Sequence, residues 1–122
     1  MYSIIHLLRK KWLAAGWLIL ISILFCLPGS AFPRQSWLDG LHLDKWVHVG
    51  FFALLVLAWL LAFRLPAALL IGFALTYGIL VEVVQHRWIA NRSFDVWDVV
   101  ADAAGIALGF YIWLRVKRLQ GL

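Results

Sequence analysis

Asp44 and His48 stand four residues apart, Glu82, Gln85 and His86 follow at i, i+3 and i+4, and Asp95, Asp98 and Asp102 fall at i, i+3 and i+7. On helices, each set occupies one face. Two imidazoles gathered with carboxylates could hold a divalent metal or perform acid–base work on a phosphate ester. His48, Glu82, His86, Asp98 and Asp102 are the candidate ligands for such a metal. No standard metal or nucleophile signature accompanies them, and no serine or cysteine stands in a recognisable nucleophile motif. The same residues, with Arg87 and Arg92 available to phosphate or carboxylate groups, could instead form a binding site.

The elements that must position these residues are apolar. The chain has 122 residues, of which 65% are hydrophobic and only 14% charged, whereas a soluble domain carries charge on roughly a quarter of its residues. Its mean hydropathy is +0.91. A hydrocarbon core about 30 Å thick calls for about 20 apolar residues per helix, and the stretches 12–27, 46–63, 66–84 and 96–114 come close. Backbone groups in lipid must be satisfied internally, which excludes open strands. The expected fold is therefore all-α: a polytopic membrane protein with four transmembrane helices in one compact bundle, a single domain over residues 1–122. Pro28-Gly29 ends the first stretch, and Arg64-Leu65-Pro66 makes a turn so tight that the second and third helices are antiparallel neighbours. Ser93 is placed to cap the fourth helix, with Asp95 in its first turn favouring the positive end of the dipole.

Seven basic residues (Arg9, Lys10, Lys11, Arg64, Arg115, Lys117 and Arg118) flank one side of this bundle, and four (Arg34, Lys45, Arg87 and Arg92) flank the other. Excess Lys and Arg stay cytoplasmic, so both termini are expected inside. All six carboxylates (Asp39, Asp44, Glu82, Asp95, Asp98 and Asp102) then lie on the outer half. The net charge of +5 thus reads as topology and not as a nucleic-acid footprint. Trp37, Trp46, Trp88 and Trp97 would mark the outer interface and Trp12, Trp59 and Trp113 the inner one; Trp17 fits neither. Cys26 is the single cysteine and reads as a core residue. An alternative for the first helix is a signal peptide, cleaved after Ala31, which would leave three helices and the same loops outside.

Depth separates the polar residues. At 1.5 Å per residue, Asp102 lies about 10 Å deeper than Asp95 and His48 about 6 Å deeper than Asp44, which describes a funnel entering from the outer surface. Near the headgroups, Asp39, Asp95 and Lys45 need no function beyond capping and pinning loops. Glu82, Asp98, Asp102 and His48 sit within apolar helices, where an ionisable side chain is a functional-site hypothesis by default. Lys45, Arg87 and Arg92 are candidate partners for the outer carboxylates, and His48 or His86 for the inner ones. His6 and His42 read as interfacial. Ala101, Gly105 and Gly109, spaced by four, form a stripe that lets another helix approach closely. That helix belongs either to the same chain or to a second copy, giving a homodimer through the fourth helix.

Taken in order, Asp44-Lys45-Trp46-Val47-His48, Glu82-Val83-Val84-Gln85, Arg92-Ser93-Phe94-Asp95-Val96-Trp97-Asp98, and then Gly105 and Gly109 resemble the VanZ-like family of small bacterial membrane proteins. The resemblance covers about residues 39 to 114, and its pieces are specific only in combination. It directs attention to Asp44, His48, Glu82, Gln85, Arg92, Asp95, Asp98, Gly105 and Gly109. One position departs: the family pattern usually has an asparagine where this chain has Asp102, which adds a charge or a proton at the deepest point. The resemblance implies a bacterial inner-membrane protein of the cell envelope. The family's namesake is linked to low-level resistance to the glycopeptide teicoplanin, and the family carries no established reaction.

Three functions are compatible with these residues. The funnel could bind a lipid-linked cell-wall precursor or a glycopeptide-type molecule. It could be an intramembrane metal-dependent or acid–base enzyme acting on a lipid-linked phosphate. It could also serve a proton-coupled transporter, which four short helices would have to dimerise to enclose. No motif calls for a cofactor, and a divalent metal is the one that this ligand set could take.

Overall fold

The computed structural model describes residues 6, 9–27, 43–89 and 95–120, with backbone alone at 43, 44 and 120. Four α-helices follow one another: α1 (Lys11–Phe25), α2 (Leu43–Ala62), α3 (Ala67–Trp88) and α4 (Val96–Gln120). No strand occurs among the described residues. Three of the helices are long and apolar enough to cross a membrane, through Lys45–Ala62, Ala67–Trp88 and Val96–Leu119. The fourth, α1, has 15 residues and at 1.5 Å per residue spans about 22 Å, short of a full hydrocarbon core. The protein is an all-α polytopic membrane protein.

Helix ends differ from the apolar stretches for a physical reason. The helix α3 runs on to Trp88 with His86 and Arg87 in its last turn, and α4 continues to Gln120 with Lys117 and Arg118 in its last turn. Cations complement the negative end of the helix dipole, so these helices outlast their apolar segments. Between α2 and α3, Phe63 N–H closes on Trp59 O at 2.9 Å, and Pro66 stands as N-cap with its carbonyl accepting from Leu69 N–H at 3.0 Å. That short connection makes α2 and α3 antiparallel.

The core joins all four helices. Ile21 and Phe25 of α1, Phe52, Leu55, Val56 and Leu60 of α2, Leu70 and Ala74 of α3, and Ile106 of α4 form one buried cluster. The helices α2 and α4 pack most closely of all. A Cβ added to Gly109 would come within 2.5 Å of Ala53 O, and one on Gly105 would fall on Val49 O and 3.0 Å from Phe52 Cβ. Ala101 is buried on the same stripe. The helix that this stripe accommodates is α2 of the same chain. Trp17, which belonged to neither aromatic belt, donates its ring N–H to Phe51 O at 3.0 Å. Trp12, Trp46, Trp88 and Trp97 are largely exposed, as interfacial rings are.

Candidate functional site

The first half of α2, the second half of α3 and the start of α4 lie at one end of the bundle, and their polar faces meet there. Asp95 precedes α4 and caps it, its Oδ1 accepting from Trp97 N–H at 2.9 Å. Ser93, the expected cap, lies outside the described residues, as do Asp39 and Arg92 and the side chain of Asp44. Lys45 bridges α2 to α4, donating to Asp95 Oδ2 and to Asp98 Oδ1, the latter at 2.7 Å. Its ammonium, hydrogen-bonded to Asp95, holds that carboxyl below the usual carboxylate range.

Deeper in, His48 Nδ1 meets Asp102 Oδ1 at 2.6 Å, and His48 Nε2 faces Asp98 Oδ2 at 3.8 Å. A carboxylate on Nδ1 favours a proton there and leaves Nε2 turned toward Asp98, the shallower of the two aspartates. Glu82 enters from α3, where its Oε2 accepts from Asp95 N–H at 3.2 Å. Its Oε1 and Asp102 Oδ2 are buried with no hydrogen-bond partner among the described residues. Side-chain exposure falls from 35% at Asp95 and 21% at Lys45 through 13% at Asp98 to 6% at His48 and 2% at Asp102. The polar groups therefore form a graded path inward, with Glu82 wholly buried beside it.

The remaining sequence candidates divide. Gln85 is buried but turned toward α1, donating to Phe25 O at 2.9 Å, so it joins two helices. His86 is exposed on α3, and the candidate metal-holding group among the described residues consists of His48, Glu82 and Asp98. Two participants had weak signals in the sequence. Gly78 leaves space for Asp102: a Cβ there would lie 2.9 Å from Asp102 Oδ2, and its only sequence mark is its position one turn before Glu82. Phe25 packs its ring 5.0 Å from that of His48 and closes the centre on the α1 side. Beside it, a cavity of about 290 Å³ opens laterally between α1 and α3, lined by Ser22, Phe25, Cys26, Tyr77, Leu80 and Gln85 among others; Cys26, expected in the core, is exposed, because it stands at the C-cap beyond the last turn of α1. Its walls are almost wholly apolar.

The family model described as VanZ/LLP1 matches residues 5–118. The chain belongs to the VanZ/LLP1 family. The match takes in α1 to α3 and α4 as far as Arg118, and with them every member of the polar centre described above. No curated protein and no solved structure matches this VanZ/LLP1 chain.

Proposed function

We propose that this VanZ/LLP1 protein resides in the bacterial inner membrane and uses the His48–Glu82–Asp98 centre, facing outward, to bind the polar head of a lipid-linked envelope molecule. The observation that carries this reading is a buried set of ionisable groups at one end of an apolar bundle, with a carboxylate oxygen of Glu82 that has no partner among the described residues. Ionisable groups in a membrane segment cost about 2.5–3.5 kcal/mol each at a central position, and they mark ligand or ion pathways. The apolar lateral cavity between α1 and α3 supports a ligand that brings a hydrocarbon chain. The excess of basic residues at the opposite side of the bundle supports cytoplasmic termini. Changed handling of a cell-wall precursor would in turn alter glycopeptide susceptibility.

Lipid identification tests this. Protein purified in mild detergent and analysed by native mass spectrometry should carry an anionic envelope lipid that is depleted in His48→Gln and Glu82→Gln. Equal lipid in the wild type and both variants would count against the reading. A second reading, an enzyme acting on a lipid-linked phosphate, is favoured by the Asp102–His48 pair, because a carboxylate that fixes the imidazole tautomer leaves Nε2 ready to accept a proton. Phosphate release from a lipid-linked pyrophosphate, absent in His48→Gln, would select that reading over binding alone.

A further inference from the structure

We propose that His48 Nε2, Glu82 and Asp98 form a divalent-cation site and that Asp102 is its positioning residue. This rests on the centre proposed above as the head-binding site, and it names what lets that centre accept an anion. One ligand atom from each of the three residues lies within 4.8 Å of the others. In a tetrahedral site with bonds of about 2.0–2.2 Å, ligand atoms are roughly 3.3–3.6 Å apart, so small side-chain rotations close the set. The 3.8 Å separation of His48 Nε2 from Asp98 Oδ2 is too long for a hydrogen bond and near the spacing of two ligands on one ion.

Two further observations point to a cation. Glu82 is fully buried, yet its Oε1 has no partner among the described residues; an orphaned carboxylate oxygen of this kind calls for an ion or a proton. The neighbourhood is also unbalanced, since Glu82, Asp95, Asp98 and Asp102 face Lys45 and His48 alone among the described charged groups that touch them. A doubly charged ion brings this end of the bundle much nearer neutrality. Asp98 can serve while keeping its ion pair, because Oδ1 holds Lys45 and Oδ2 faces His48.

The second layer is already in place. A metal-bound histidine usually gives its other ring N–H to a carboxylate, which sets ring orientation and ligand basicity, and Asp102 Oδ1 occupies that position at 2.6 Å from Nδ1. One imidazole with two carboxylates suits Zn²⁺ or Mn²⁺ better than the all-oxygen preference of Ca²⁺ or the thiolate preference of Cu(I). Three protein ligands leave positions for water or a phosphate oxygen, so the ion would turn an acidic, anion-repelling centre into one that holds a phosphate.

The test uses the full-length protein in detergent, delipidated, stripped with a chelator and titrated with Mn²⁺ or Zn²⁺. The wild type should take up about one ion per chain, and Glu82→Gln and Asp98→Asn should lose it. Asp102→Asn should bind about 10–100-fold more weakly while keeping its thermal unfolding midpoint, which a merely structural role would lower. Should a variant fail to fold, pulsed EPR of the Mn²⁺-loaded wild type decides by itself, since a coordinating nitrogen is expected. Absence of stoichiometric uptake, absence of that nitrogen, or full uptake by Glu82→Gln would overturn the assignment. Metal uptake by lipid-free protein that never carries lipid would sink the lipid reading and leave the metal site standing, and lipid carried by protein that takes up no metal would do the reverse.

Discussion

Where α4 passes Gly105 and Gly109 it lies against the backbone of α2 with no room for a Cβ, whereas nearer its start the same two helices face each other through Lys45, His48, Asp98 and Asp102. In lipid there is no hydrophobic force to drive helices together, so association relies on close packing and on polar contacts. The glycine seam supplies the first, and no buried side-chain atom there is unpartnered among the described residues. The polar end supplies hydrogen bonds, but among the described residues it also leaves Glu82 Oε1 and Asp102 Oδ2 buried and unpartnered. A region selected for stability alone would not keep those oxygens, since a buried ion pair is seldom more stabilising than apolar side chains of similar volume. The difference assigns folding to the seam and ligand chemistry to the polar end.

Gly105→Leu should break the seam outright. A side chain there meets backbone atoms of α2, which cannot rotate away, so the cost should reach about 3 kcal/mol or more, the upper end for overpacking. Thermal unfolding in detergent would measure it, with Ala103→Leu on the exposed face of α4 expected to change little. At the polar end, His48→Ala should cost about 3 kcal/mol by stranding the Asp102 carboxylate. Replacing both residues with leucine should recover most of that loss, as no comparable double change at Gly105 could. If the double variant is as unstable as His48→Ala, the polar end contributes to folding in its own right. The smallest effect belongs to Lys45→Met, at about 1–2 kcal/mol: its pair with Asp95 is part-exposed and such pairs contribute little, so most of the loss comes from the less exposed Asp98, whose charge-assisted hydrogen bond is removed.

Much of this division was legible in the residues. The spacing of Asp95, Asp98 and Asp102 and of Ala101, Gly105 and Gly109 marks two levels of one face of α4, and the placement of His48 within an apolar run marks it as costly and therefore informative. Lys45 and His48 were nameable as partners of the outer and inner carboxylates, but which carboxylate each takes depends on the rotation of α2 against α4, and helical spacing within a single helix does not contain that angle. The same limit explains His86: four residues from Glu82 on paper, it is exposed, because a 100° advance per residue leaves i and i+4 about 40° apart and a narrow buried face separates them. Gln85 and Trp17 were visible only as polar groups in apolar helices, with partners, Phe25 O and Phe51 O, that are backbone atoms of another helix. Helix ends escaped for a different reason. Hydropathy reports where lipid ends, whereas Arg115, Lys117 and Arg118 carry α4 further as good helix formers at a favourable end of the dipole.

Glu82→Gln separates the two regions most directly. The glutamine can still accept Asp95 N–H and can offer its amide to the neighbouring carboxylate, so the fold loses no hydrogen bond while the centre loses a charge. Measured in detergent with chelator present, its thermal unfolding midpoint should equal or exceed that of the wild type, even though binding at the centre is lost. A fall as large as that of Gly105→Leu would contradict the account, because Glu82 would then be holding the bundle together and not waiting for a ligand.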